Sequence, residues 1–385
     1  MKEIKEILNA WRIANAEGKK TALATVVHVE GSSYRRPGAR MLITEDGQLT
    51  GAISGGCLDG DALRKAQLVM TQQKSTVVTY DTMDDDDAKL GVGLGCNGII
   101  QVLIEPIDPG KVNNPISFLE AVTQSRRPAV LVSLYCLQDK KNPQTGTCLL
   151  VKKDQSVTGH TAGLHDVLVA DANSALEKQA SFFRNYILEN ENYTASIEFI
   201  PPAVSIVIIG AGNDVVPLVQ MASVLGWDTT VIDGRPRYAT QERFTPSCRV
   251  IVSKPESVLE KLSIDEQTVF LLMTHNYNYD LGMLRALLGK ELPYVGILGP
   301  RKKLDRMLAE LKETGITITE KQLSSIYGPV GLDIGAETPE EIALAILAEV
   351  KAILARRQGQ PLRQLDDAIH PRVSSQVENV YLPHP

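Results

Sequence analysis

Ser205-Ile-Val-Ile-Ile-Gly210-Ala-Gly212 is an apolar run that ends in a glycine-rich turn. Such a run predicts a buried strand, and residues 214–225 follow it with apolar side chains at helical spacing. A second apolar run, Thr229-Thr-Val-Ile232, ends at Asp233. This order of strand, glycine turn, helix, strand and acid is the dinucleotide-binding fingerprint. It predicts a Rossmann-like sheet in the C-terminal half of the chain.

The rest of the C-terminal half repeats the same alternation of strands and helices. Short apolar runs alternate with helical segments, which is typical of a parallel sheet that is buried on both faces. The runs cover residues 204–209, 229–232, 249–252, 268–273 and 294–298. Thr338-Pro-Glu-Glu341 is a capping box with proline at the first helical position, and it predicts a helix over 339–356.

The N-terminal half mixes both kinds of element. Helical spacing predicts helices at residues 1–18, 58–70 and 173–188, and apolar runs predict strands at 22–29, 76–80, 99–104, 129–136 and 148–152. Pro201-Pro202 marks a boundary. We therefore predict an α/β protein with an N-terminal mixed α/β domain at 1–200, a Rossmann-like domain with a parallel sheet at 201–358 and an irregular tail at 359–385.

The glycine turn supplies the candidate nucleotide site. Gly210 and Gly212 would let a pyrophosphate approach the backbone, and Asp233 would accept a ribose hydroxyl. Val215 stands where the fingerprint has its third glycine, so the turn holds either a dinucleotide, a different ligand or none. Arg235 would pair with a phosphate, although a surface salt bridge is the commoner role of such an arginine.

Thr274 and His275 follow the apolar run 268–273. They are expected at the carboxyl ends of the strands, where open α/β sheets bind their ligands. His275 there is either a proton donor or phosphate contact, or a histidine that merely covers the end of the sheet.

Two cysteines lie in glycine-dense loops: Gly51-Ala-Ile-Ser-Gly55-Gly56-Cys57-Leu-Asp-Gly60 and Gly91-Val-Gly-Leu-Gly95-Cys96-Asn-Gly98. Glycine lets a ligand approach the backbone closely, and successive amides can form a nest for a phosphate. Thiolates suit thiophilic metals. We expect the fold to bring Cys57 and Cys96 to one pocket. The other cysteines, Cys136, Cys148 and Cys248, are interpreted as small buried hydrophobic residues.

Composition narrows the class of protein. The chain has 385 residues and a formal net charge of −6, which argues against nucleic acid as a general partner. No apolar stretch is long enough to span a bilayer, and Met1 to Leu8 lacks the apolar core of a signal peptide. Five widely spaced cysteines favour reduced thiols. We expect a cytoplasmic protein without a membrane partner.

Several motifs in one order resemble the XdhC/CoxI family. Those of the N-terminal half are Gly31-Ser-Ser-Tyr-Arg-Arg-Pro-Gly-Ala-Arg40, Ser54-Gly-Gly-Cys57 and Gly93-Leu-Gly-Cys96. Those of the C-terminal half are Gly210-Ala-Gly212, Gly226-Trp-Asp228, Asp233-Gly-Arg-Pro236, Thr274-His275, Tyr294 to Arg301 and Gly331 to Glu341. Two departures are Asn97, where the family usually has glycine, and Asn213, where its turn commonly has histidine.

The resemblance implies an accessory protein of xanthine dehydrogenase or a related molybdenum hydroxylase. Members of the family are understood to bind the molybdenum cofactor (molybdopterin), protect it, help it gain its terminal sulfur and deliver it to the apo-enzyme. Carried over to this chain, the resemblance places Cys57 and Cys96 against the molybdenum. Members are often labelled xanthine dehydrogenase by association, but this chain has no iron–sulfur cysteine set.

Three functions follow as hypotheses. The first is a cofactor-insertion chaperone. The second is an NAD(P)-dependent oxidoreductase that uses Gly210, Gly212 and Asp233 with His275 as the acid. The third is a nucleotidyl-transfer enzyme, for which the acidic run Asp84–Asp87 would hold Mg²⁺. Two glycine-nested thiols serve no evident purpose in the second, so the sequence favours a chaperone over a catalyst. The tail suggests a homodimer.

Overall fold

The computed structural model describes residues 1–31, 33–81, 98–137, 144–161, 163–188, 191–364 and 378–381. These residues divide into two compact units. The first unit contains residues 3–202 with the strand at 378–381, and the second begins at Ala203. Among the described helices, none combines the length and apolar character that a membrane span requires.

The first unit begins with an antiparallel sheet. Its strands are β1 (Thr21–Gly31), β2 (Arg40–Thr44), β3 (Leu49–Gly51), β4 (Thr76–Asp81) and β5 (Gly98–Ile107), in the order β3-β2-β1-β5-β4. Helix α1 (Lys2–Ala16) precedes the sheet, and α2 (Asp59–Gln72) packs on one face of it. Ala62, Ala66 and Val69 of α2 meet Ala24 and Val26 of β1, because these positions recur at helical and strand spacing.

A second sheet completes this unit. Its strands are β6 (Ala129–Tyr135), β7 (Gly146–Lys152), β8 (Val157–Gly159), β9 (Phe182–Leu188), β10 (Glu191–Ile200) and β17 (Glu378–Tyr381), in the order β17-β9-β10-β6-β7-β8. Helices α3 (Pro115–Thr123) and α4 (His165–Lys178) accompany it. The pairing is antiparallel except between β17 and β9.

Two expectations differ from this structure. A helix was predicted over 173–188, but α4 ends at Lys178 and residues 182–188 form β9. Gln179 adopts the left-handed conformation and ends the helix, and the aromatic-rich run from Phe182 to Leu188 suits a strand. The tail was predicted to be irregular, but Glu378–Tyr381 pairs with β9.

The two sheets of the first unit pack face to face through an apolar layer that includes Leu23 and Leu42 from one sheet and Leu131 and Leu150 from the other. The layer also contains a fully buried carboxyl group. Glu105 of β5 accepts hydrogen bonds from the backbone N–H (2.7 Å) and the hydroxyl (2.8 Å) of Thr147. Burial raises the pKa of Glu105 above its ordinary value of 4.5, although the bonds from Thr147 oppose the rise.

The second unit is a doubly wound parallel sheet. Its strands are β11 (Ser205–Ile209), β12 (Asp228–Asp233), β13 (Arg249–Val252), β14 (Thr268–Leu272), β15 (Val295–Ile297) and β16 (Ile326–Tyr327), in the order β13-β12-β11-β14-β15-β16. Its helices are α5 (Val215–Val224), α6 (Tyr277–Leu287), α7 (Arg301–Glu313), α8 (Glu320–Ser324) and α9 (Pro339–Leu354). Helices α5 and α9 pack on one face, α6 and α7 on the other. The predicted α/β fold class is confirmed.

We expect Glu105→Gln to change how stability depends on pH. A raised pKa in the folded state stabilises the protein fully below the unfolded value of 4.5, and this stabilisation is lost as pH rises through the folded pKa. Glutamine keeps an acceptor for Thr147 but does not titrate. The free energy of unfolding, measured by urea denaturation at a series of pH values above 4.5, should therefore decline less steeply in the variant.

The matched control is Glu177→Gln, since Glu177 is an exposed glutamate on α4 of the same unit. It should leave the wild-type slope unchanged. An identical pH slope in Glu105→Gln and the wild type would contradict the assignment.

Candidate functional site

Three loops leave the first sheet at the same end. Strands β1 and β5 are antiparallel with Gly31 opposite Gly98, and β4 is antiparallel to β5 with Asp81 opposite Ile99. Strand β3 runs parallel to β1, because each pairs antiparallel with β2. The loop that contains Cys57 therefore leaves β3 in the direction of the end where β4 stops and β5 starts, although Gly51 itself is level with Ala24 and not with Gly31. The β1–β2 loop lies at this end as well.

The second cysteine loop, with Gly95 and Cys96, lies outside the described residues. Its two attachment points, Asp81 and Gly98, are the final residue of β4 and the first residue of β5. Convergence of Cys57 and Cys96 on one pocket thus stays a prediction. The sheet supports it because β3 and β4 run in the same direction, and because Tyr80 near the end of β4 donates to Asp61 in the first turn of α2.

Ser54 shapes the first cysteine loop. Its buried hydroxyl accepts the backbone N–H groups of Gly56 and Leu58, both at 3.1 Å, and donates to Asp59 at 2.9 Å. These three bonds bend the chain over Gly55 and Gly56 into the start of α2. Gly56 has φ = +108°, and no atom lies within 4 Å of where its Cβ would be. The backbone there is exposed and open to a ligand.

Cys57 is half-buried and lies two residues before α2 begins. The first turn of a helix presents unpaired amides that favour an anion. Two carboxylates nearby are held by hydrogen bonds. Asp59 accepts from Ser54, and Asp61 accepts from the Tyr80 hydroxyl at 3.0 Å. The loop thus presents a thiol and open backbone together.

The β1–β2 loop is held by buried charges. Arg40, the first residue of β2, is buried in an ion pair with Glu198 of β10 and donates to the Gly38 carbonyl at 2.8 Å. Arg35 forms an ion pair with Glu3. An arginine in this loop could contact a phosphate, but the ion pair gives Arg35 a structural role.

We expect Ser54→Ala to loosen the first cysteine loop. The change removes one donor and leaves two backbone N–H groups without their acceptor, which costs about 1–3 kcal/mol of stability. The Cys57 thiol should then react faster with a thiol reagent in the native state. Ser54→Thr, which keeps the hydroxyl, is the matched control. Unchanged Cys57 reactivity in Ser54→Ala would show that the hydroxyl does not fix the loop.

In the second unit the glycine turn is tightly enclosed. Gly210 has φ = +121°, and a Cβ on it would lie 2.4 Å from the Met273 carbonyl oxygen. A Cβ on Gly212 would lie 2.2 Å from a carboxylate oxygen of Asp214. Backbone contacts within the fold therefore account for Gly210, whereas Gly212 meets only the movable end of a side chain. Arg243, which the sequence did not single out, donates to the Ala211 carbonyl at 2.6 Å and to Asn213 at 2.9 Å.

Asp233 is occupied by its own chain. Its carboxylate accepts from the Ala211 N–H at 2.9 Å and from three donors of Arg235 at 2.8–3.0 Å. Burial tends to raise the pKa of Asp233, but these hydrogen bonds together outweigh burial and leave the pKa lowered. A ribose hydroxyl would have to displace Arg235, whose guanidinium also stacks on Tyr238 at 4.1 Å. A nucleotide role for Asp233 and Arg235 stays a prediction.

Thr274 and His275 lie at the carboxyl end of β14, as expected. Thr274 donates to the fully buried carboxylate of Asp280 at 2.6 Å, and Lys303 binds the same carboxylate at 2.7 Å. His275 is exposed, adopts the left-handed conformation and contacts Asp214 at 3.1 Å. Thr274 therefore belongs to a buried charge network, whereas His275 faces solvent.

Sequence reasoning missed Asp280 and Lys303. The available signal was that Asp280 shares a helical face with Met283, Leu284 and Leu287, all of which are buried. A carboxylate on an apolar face needs a cation.

Breaking this network should destabilise the protein strongly. Asp280→Ala leaves the Lys303 ammonium poorly paired in a largely buried position, at a cost of about 3–5 kcal/mol in the free energy of unfolding. The double variant Asp280→Leu/Lys303→Met should recover part of the loss. Removal of the exposed Arg306–Glu310 pair on α7 by Arg306→Ala should cost less than about 1 kcal/mol. Equal losses from Asp280→Ala and Arg306→Ala in urea unfolding would contradict the network.

Within the described ranges, no group of three or more His, Cys, Asp or Glu side chains is placed to hold a metal ion. The fold and the glycine–cysteine loops define a protein with a Rossmann-like unit and a second α/β unit. The family described as XdhC Rossmann domain matches residues 206–350, and the XdhC and CoxI family matches residues 14–81. The chain belongs to the XdhC and CoxI family.

Similar proteins agree with that assignment. A Bacillus subtilis protein, named as a probable xanthine dehydrogenase component, is 31% identical over 86% of this chain and 92% of its own length. The Escherichia coli molybdenum cofactor insertion chaperone PaoD is 23% identical over 87% of this chain and 84% of its own length. A Bacillus halodurans crystal structure titled as a xanthine dehydrogenase has a TM-score of 0.74 and 32% identity, covering 93% of this chain and 97% of that one.

Proposed function

We propose that this protein binds the molybdenum cofactor at the loop-bearing end of its first sheet, protects it and delivers it to a molybdenum hydroxylase such as xanthine dehydrogenase. Family membership and the relative named as an insertion chaperone support an accessory role rather than catalysis. The observation that carries the proposal is that β3 and β4, which lead into the two cysteine loops, run in the same direction, and that Tyr80 near the end of β4 donates to Asp61 close to Cys57.

The residues of the first loop fit such a cargo. Cys57 offers a soft sulfur donor suited to a thiophilic metal such as molybdenum. Exposed backbone at Gly55 and Gly56, beside the start of α2, suits the phosphate of a pterin tail. In this proposal Gly95 and Cys96 approach the same cargo from the second loop.

The second unit has a different part in the proposal. Because Arg235 occupies the Asp233 carboxylate, the geometry gives less support to an NAD(P)-dependent oxidoreductase than to a carrier. The cytoplasmic location and the homodimer stay predictions of the sequence.

Purified protein tests the proposal directly. Wild type isolated anaerobically from a host that makes the cofactor should retain molybdenum and pterin, measured by elemental analysis and mass spectrometry. Cys57→Ala should lower retention about tenfold or more, because even residues beyond the first shell of a metal change affinity by that much. Cys96→Ala should act in the same direction.

The matched control is Cys136→Ala, since Cys136 lies in the same unit and is also half-buried. It should retain as much molybdenum as the wild type. Equal molybdenum content in the wild type and a Cys57→Ala/Cys96→Ala double variant would refute the thiols' role.

A further inference from the structure

Tyr34 lies at the loop-bearing end of the first sheet and is 70% exposed. Its ring atoms Cγ and Cδ1 lie 3.7 Å from the position that a Cβ on Gly55 would take. The ring therefore lies over the backbone of the first cysteine loop, two residues before Cys57. A Cβ at position 55 would be in ordinary van der Waals contact with the ring.

The ring, rather than the hydroxyl, is what the fold places. No hydrogen bond joins the Tyr34 hydroxyl to another described residue, so the contact of its ring with Gly55 is what positions the side chain. An aromatic side chain this exposed does not contribute the stabilising free energy that burial of its ring would provide. The fold thus positions the Tyr34 side chain without burying its ring.

The loop that carries Tyr34 is fixed on the C-terminal side of that residue. Arg35 is paired with Glu3, and Arg40 is buried against Glu198. The Gly38 N–H donates to the Val26 carbonyl of β1 at 2.8 Å. A ring held by such anchors can accept a ligand with little loss of conformational entropy.

We propose that Tyr34 stacks on the planar pterin ring of the cargo and is a positioning residue of the site. This inference rests on the proposed function and assigns a ring-binding residue beside the thiol. A heteroaromatic ring stacks on a protein aromatic side chain through its π face, whatever substituents the ring carries. This contact is strong enough to hold a ligand in place. The thiol and the ring would then recognise different ends of one molecule.

Titration of the full-length apoprotein under anaerobic conditions with molybdopterin released from a purified molybdenum enzyme tests this inference. Bound pterin is separated by gel filtration and measured as the fluorescent product of its oxidation, because the reduced ring itself is scarcely fluorescent. Tyr34→Phe should bind within about twofold of wild type, because the ring remains. Tyr34→Ala should bind about tenfold more weakly.

Tyr238→Ala is the matched control, because Tyr238 is an exposed tyrosine in the other unit. It should behave as the wild type. If the wild type binds but Tyr34→Ala binds equally well, the inference fails while the proposed function stands. If Tyr34→Ala keeps the pterin but no longer passes it to an apo-hydroxylase, the ring contacts the partner instead and the inference also fails. Absence of binding by the wild type would contradict both.

Discussion

The antiparallel register of the first sheet constrains the chemistry of this protein. Gly31 pairs with Gly98, and Asp81 pairs with Ile99. The ends of β1 and β4 and the start of β5 therefore lie at one end of the sheet. Strand β3 runs in the same direction as β1, because both pair antiparallel with β2, and it ends at Gly51, level with Ala24. Ala24 and Val26 of β1 pack under α2 and Leu23 packs toward the second sheet, so the strand is buried on both faces. The attachment points of the glycine–cysteine loops follow from the same packing that builds the core.

Ion pairs and hydrogen bonds fix the chain near this end of the first sheet. Arg40 ties the first sheet to Glu198 of the second, and Ser54 closes the turn into α2. Such pairs add little net stability but specify one arrangement, since a buried charge without its partner is costly. Cys57 and Tyr34 differ from these residues. Cys57 is half-buried against the apolar core between the first sheet and α2, and Tyr34 is mostly exposed.

The second unit shows the opposite pattern. Its glycine turn, Asp233 and Thr274 are the residues that a nucleotide would use, and each is engaged by its own chain. The resemblance to a dinucleotide-binding domain therefore holds for the backbone fold more than for the side chains that would bind the nucleotide. Function has to be argued from the site and not from the fold.

Local patterns predicted much of the fold. The strand and turn at 205–212 and the capping box at Thr338 depend on neighbouring residues, so periodicity and composition sufficed. The boundary at 178–182 was wrong because a left-handed residue, Gln179, ended a pattern that continued to look apolar. The Asp280–Lys303 and Arg40–Glu198 pairs join distant parts of the chain. Pairings of that kind depend on tertiary packing, which no local sequence signal contains.

Hydrogen–deuterium exchange with and without molybdopterin tests the central claim most directly. If the cargo binds at the loop-bearing end of the first sheet, its addition should slow exchange in peptides covering residues 33–40, 51–59, 76–81 and 98–102. Protection confined to the glycine turn at 210–215 and to 233–238, or no protection anywhere, would contradict the account.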